Sequence, residues 1–144
     1  MGNKLLVAVD GSETGKRVIN FAVASIRATT SSLVLAYIIE WSPYSILTPG
    51  ELAERHQKRE SEISGVEESI LASEANELRA AGVDVETVVR HGHIGETLSE
   101  IARDYAVSQI YIGRKAESRM QTMLFGSVTA SLIQTSPVPV TVVP

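Results

Sequence analysis

Five short apolar runs, separated from one another by stretches with helical spacing, constrain this chain more than any other feature. Lys4 to Val9 is continuous and β-compatible and stops at Asp10-Gly11-Ser12, and Leu33 to Ile39 repeats the pattern before Glu40 and Trp41. Val85 to Val89 is rich in β-branched residues, Gln109 to Ile112 ends at Gly113, and Val138 to Val143 is bracketed by Pro137, Pro139 and Pro144. Runs that are apolar on both faces suit strands buried inside a parallel sheet.

Between the first two runs, Val18, Ala22, Val23 and Ile26 recur at helical spacing, opened by Ser12 or Glu13. The longest helical candidate runs from about Thr48 to Ala81. Thr48-Pro49-Gly50-Glu51 offers a capping box with Pro at the first helical position, and Gly82 supplies the stop. Its stripe is Ile63, Val66, Ile70, Leu71 and Leu78, with charged residues crowding the other faces as a solvated surface. Gly95 opens a third helix that turns Leu98, Ile101, Ala102 and Tyr105 inward, and Ser127 to Gln134 forms a short fourth before Pro137. The order is β-α-β-α-β-α-β-α-β. Strict alternation with long connections predicts a doubly wound α/β domain, its parallel strands joined by right-handed crossovers and covered by helices on both faces.

With 144 residues and no linker or repeat, the chain reads as one domain over residues 1–144. The absence of Cys removes disulfides, thiolate metal sites and thiol nucleophiles together. A formal charge of −4 is too acidic for a general nucleic-acid binder. The apolar run before Asp10 is shorter than a signal-peptide core of about 7–15 residues, and no stretch approaches the roughly 20 needed to span a bilayer. The expectation is a cytoplasmic protein that engages no membrane and no nucleic acid.

In an open α/β sheet, ligands bind beyond the carboxyl ends of the strands, where strand order reverses. Those ends carry Val9-Asp10-Gly11-Ser12, Ile39-Glu40-Trp41, His91-Gly92-His93 and Gly113-Arg114-Lys115. The stretch from Gly113 to Thr129 leaves a strand through Gly and enters a helix through Gly126-Ser127. Gly126 would let backbone approach a phosphate closely, while Ser127 and Thr129 place hydroxyls and N–H groups at the positive end of the fourth helix. Arg114, Lys115 and Arg119 would supply compensating charge. An ordinary Gly turn followed by a Ser N-cap accounts for the same residues equally well.

From Leu5-Leu6-Val7-Ala8-Val9-Asp10-Gly11-Ser12 to Ser136-Pro137-Val138-Pro139-Val140-Thr141-Val142-Val143, the sequence resembles the universal stress protein family along essentially its whole length. Family members that bind ATP carry G-x-x-G, nine residues, then G-[ST]; here Gly113, Arg114 and Lys115 are followed by Ala116, nine residues, and Gly126-Ser127. One glycine has become alanine. If that position needs a positive φ, Ala116 costs on the order of 1–2 kcal/mol, equivalent to about a tenfold loss of affinity.

The resemblance implies a five-stranded sheet in the order 3-2-1-4-5 and a dimeric, nucleotide-binding stress-response module. It implies Val9 and Asp10, with Ser12 in the same turn, beside adenine and ribose, and Ile39 as an apolar wall for the base. Gly113, Arg114, Lys115 and Ala116 would lie under ribose and phosphates, and Gly126, Ser127, Val128 and Thr129 would hold the triphosphate. The implied ligand is ATP, with AMP or ADP as alternatives, and Mg2+ would be carried by the phosphates. Capping of the first helix competes for Asp10, and plain sheet core for Ile39. The final strand, uncharged and β-branched at an expected sheet edge, predicts a homodimer through Val138, Val140, Thr141, Val142 and Val143; a monomer blunted by Pro139 and Pro144 is the other reading.

An enzyme needs more than the sequence offers. Ser12 and Ser127 have no sequence-suggested His and Asp partners, no G-x-S-x-G elbow occurs, and both G-x-x-x-x-G-K-[ST] and G-x-G-x-x-G are missing. Any ATP hydrolysis should be slow, because no residue is evidently placed to activate water. A receiver domain of similar size would need an Asp where strand three ends in His91-Gly92. His91 and His93 invite a metal reading, but a third ligand is lacking nearby. Trp41, Tyr44 and the stretch from Ser42 to Pro49 read as a loop or lid over the crevice, and Met120, Met123, Leu124 and Phe125 as packing or a partner surface. The rival function is a universal stress protein that binds no nucleotide and acts only as a dimeric interaction module with an unknown protein partner.

Overall fold

The computed structural model describes residues 3–10, 13–27, 31–40, 57–58, 61, 63–114 and 129–144. Its strands are β1 (Asn3–Ala8), β2 (Ser31–Glu40), β3 (Val85–Gly92), β4 (Gln109–Gly113) and β5 (Val140–Val143). All neighbours pair in parallel, in the order β3-β2-β1-β4-β5. Among the described residues the helices include α1 (Glu13–Arg27), α2 (Ala72–Ala80), which continues a helix already present at residues 63–66, and α3 (Ile94–Asp104). Residues 129–135 are helical and form α4.

Alternation along each strand divides the interior into two cores, one on each side of the sheet. Leu5 and Val7 of β1 and Leu33 and Leu35 of β2 join Val18, Ala22 and Ile26 of α1 with Leu71, Ala75 and Leu78. Leu6 and Val34, on the opposite face, join Leu98, Ile101 and Ala102 of α3 with Leu132 of α4. Leu5, Leu6 and Val7 of β1 are buried on both faces, which is why its run is apolar without alternation.

The boundaries differ from the sequence expectation for identifiable reasons. β5 begins at Val140 and not at Val138, because Pro139 has no N–H and the Val138 N–H turns back to the Ser136 hydroxyl at 3.2 Å. Val138 itself packs against the second core. β3 runs on to Gly92, so His91 lies inside the strand, and His93 is the exposed residue preceding α3. The long helix contains a π-helical turn at Glu67–Leu71 that a 3.6-residue period does not anticipate. Val66 just before it and Leu71 at its end both pack on the first core. The expected start of that helix, Thr48 to Glu51, and the Trp41 to Pro49 loop lie outside the described residues. No helix among the described residues is long and apolar enough to cross a membrane.

Candidate functional site

The strand order reverses between β1 and β4. From β1 the chain moves outward to β2 and β3 with α1 and α2 on one face, then crosses through α3 to β4 on the other side of β1. A crevice opens at such a reversal, because the connections leave the two adjacent strands in opposite directions. Val7 pairs with Tyr111, and two residues further along each chain stand Val9 and Gly113. Val9 extends the ladder by donating its N–H to the Ala36 carbonyl at 2.9 Å, and Arg114 does likewise to the Val143 carbonyl at 2.7 Å. Asp10 follows the last of these bonds on β1 and Arg114 makes the last on β4, so a carboxylate and a guanidinium stand at the two strand ends beside the reversal.

β2, the neighbour of β1 on the other side, carries Tyr37, Ile39 and Glu40 at its carboxyl end. Tyr37 and Ile39 alternate with Ile38, so they share the α1 and α2 face and pack against the first core. Ile39 therefore takes part in sheet packing. Burial raises the Tyr37 phenol above its ordinary 10.0, and the negative charges of Asp10 and Glu40 raise it further. The sequence reading passed over Tyr37; its position two residues before Ile39 on the same strand face is the signal that would have placed it at the crevice.

Of the expected nucleotide residues, Val9, Asp10, Ile39, Gly113, Arg114 and Thr129 are described. The strand ends bring Val9, Asp10, Gly113 and Arg114 together, and Ile39 stands one strand further out. Thr129 is half-buried at the described start of α4. Ser12, Lys115, Ala116, Gly126, Ser127 and Val128 lie outside the described residues, as do Met120, Met123, Leu124 and Phe125. Among the described residues no group of three His, Asp or Glu side chains could hold a metal ion. His91 and His93 stand without a third such ligand there. The strand ends at the reversal thus present one carboxylate, Asp10, and one guanidinium, Arg114.

A model of the universal stress protein family matches residues 1–144. The chain belongs to the universal stress protein family. It is 26% identical over 147 residues to universal stress protein YxiE of Bacillus subtilis (strain 168), the match covering 99% of each. Among solved structures, UspA from Lactobacillus plantarum superposes with a TM-score of 0.76 at 19% identity, covering 99% of this chain and 97% of that one. The universal stress protein of Archaeoglobus fulgidus in complex with dAMP superposes with a TM-score of 0.65 at 18% identity, covering 99% and 98%. Other universal stress proteins with this fold are complexes with cAMP and with AMP.

Proposed function

We propose that this chain is a single-domain regulatory module that binds an adenine nucleotide, ATP with its Mg2+, in the β1/β4 crevice and works as a homodimer with little or no catalysis. One observation carries the reading: Asp10 and Gly113-Arg114 flank the point where strand order reverses. In this reading Asp10 accepts a hydrogen bond from a ribose hydroxyl or base amine, and Ile39 covers the base. Arg114 and the hydroxyl of Thr129 face the phosphates, together with Lys115, Ala116, Gly126, Ser127 and Val128. Mg2+ would supply charge neutralisation of the phosphates. The cAMP, dAMP and AMP complexes of similarly folded family members support an adenine nucleotide as the ligand class.

The dimer would form through the free side of β5, at the edge of the sheet. Ala116, standing where ATP-binding members carry glycine, favours the second reading, an interaction module without nucleotide. Mass spectrometry of small molecules released from the purified protein, followed by calorimetric titration with ATP and Mg2+, separates the two. Titration or release of an adenine nucleotide, with Ala116→Gly binding about tenfold more tightly, supports the module proposed. If neither protein binds at millimolar ATP, the nucleotide reading fails and the interaction module replaces it.

A further inference from the structure

Helices α3 and α4 meet at a seam that leaves no space for a side chain at Gly95 of α3. A Cβ on Gly95 would stand 2.7 Å from Ser131 Oγ, 3.0 Å from Ser131 Cβ and 3.2 Å from the Leu132 main-chain N. The Ser131 hydroxyl can rotate away, but its Cβ and the Leu132 backbone move only if α4 moves. One turn further along, Ser99 Oγ and Thr135 Oγ1 lie 2.9 Å apart, and Ser99 is only 1% exposed. Ser99 Oγ also stands 2.9 Å from the Gly95 carbonyl, and Thr135 Oγ1 stands 2.8 Å from the Ser131 carbonyl. Two hydroxyl hydrogens therefore serve three short oxygen–oxygen contacts, so the pair is shared between the helices. At the far end, Arg103 Nη2 donates to the Thr135 carbonyl at 3.4 Å.

Both helices run from the crevice end of the sheet back toward its other end, since each leaves the carboxyl end of one strand and leads to the start of the next. Gly95 and Ser131 thus lie at the crevice end of the seam, and Thr129 is half a turn beyond Ser131. The buried Leu132 attaches α4 to the sheet by apolar burial, which is non-directional. The backbone approach at Gly95 and the hydroxyl pair add directional contacts to α3.

We propose that this seam is a positioning device for the phosphate end of the site: Gly95 and Ser99 set where the described part of α4 lies, and hence where Thr129 stands, without touching the ligand. This rests on the nucleotide reading above. Gly95→Ala pushes α4 away, so ATP affinity falls at least about fivefold, a usual size for coupling between separate sites. Adenosine, which has no phosphate, binds as before. Ser131→Gly in the same chain reopens the space and restores ATP affinity, a rescue that general destabilisation would not give.

The test uses the full chain, titrating ATP and adenosine into the wild type, Gly95→Ala, the Gly95→Ala/Ser131→Gly pair and Ser99→Ala, with the Thr129 amide resonance followed by NMR. Ser99→Ala keeps the helix intact and serves if Gly95→Ala does not fold. Selective loss of ATP affinity with a displaced Thr129 amide supports the proposal; equal ATP affinity in a folded Gly95→Ala or Ser99→Ala protein overturns it. If the wild type binds neither ligand, the nucleotide reading falls. The Thr129 amide of Ser99→Ala then decides the seam's role alone, a displaced resonance supporting it and an unchanged one overturning it.

Discussion

Gly82 and Ala106 occupy the same place at the ends of two helices, each in the left-handed region, with φ of +86° and +52°. After α2, the Gly82 N–H donates to the Arg79 carbonyl at 3.0 Å and the Val83 N–H to Leu78 at 2.9 Å. After α3, the Ala106 N–H donates to Arg103 at 3.2 Å and the Val107 N–H to Ala102 at 3.1 Å. Both are Schellman closures, completed by burial of Val83 and Val107. Glycine reaches such a φ freely, while alanine pays about 1–2 kcal/mol, partly offset by the greater freedom of glycine in the unfolded chain. Ala106→Gly should therefore stabilise the protein by about 0.5–1 kcal/mol, raising Tm by roughly 1–4 °C in thermal unfolding followed by circular dichroism. An unchanged or lower Tm would show that the closure at Ala106 carries no strain.

The same pair shows what the sequence makes legible. Gly82 announces the end of α2 because glycine after an amphipathic stripe is a stop, whereas nothing in Tyr105-Ala106-Val107 marks a left-handed residue. The placing of Asp10 and Gly113 at strand ends depends on patterns a few residues long, and the sheet order is what the family resemblance implies. The π turn at Glu67–Leu71 and the α3–α4 seam depend on contacts between distant segments. Gly95, Ser99 and Arg103 do recur every four residues, but only the presence of Ser131 and Thr135 opposite gives that spacing meaning.

Tyr37 should make stability fall at alkaline pH. Its phenol is held above 10.0 in the folded protein by burial and by the Asp10 and Glu40 charges, so above about pH 10 the unfolded chain gives up this proton more readily than the folded one. The raised value thus contributes stability that is fully present below pH 10 and is lost as pH rises toward the folded-state value. Tyr37→Phe has no such proton. Urea unfolding at pH 9 and pH 11 should show a smaller loss for Tyr37→Phe than for the wild type, and equal losses would remove Tyr37 from the account.

If the dimer forms through β5, Val142 is the residue that reports it. Its side chain is 38% exposed on the edge strand, and Ile133 of α4, at 61%, is another large apolar side chain left in solvent. Val142→Lys would place an ammonium in an apolar interface, a cost of several kcal/mol unless it finds a partner. Light scattering should then give a monomer mass with Tm little changed. A dimer that survives Val142→Lys does not use this edge.

The two ends of the proposed nucleotide site can be separated with two substitutions and two ligands. Asp10 would bond the base or ribose, which ATP and adenosine share, so Asp10→Ala should weaken both by about tenfold or more, the usual worth of a charged hydrogen bond. Thr129 would contact only phosphate, so Thr129→Ala should weaken ATP by about three- to tenfold and leave adenosine unchanged. Calorimetric titrations of the two variants, each checked for an unaltered unfolding transition, give four affinities to set against the wild type. If Asp10→Ala affects ATP alone, the nucleotide lies reversed in the crevice, with its phosphates toward β1; if Thr129→Ala weakens adenosine as much as ATP, Thr129 reaches the base or ribose and the phosphates lie elsewhere.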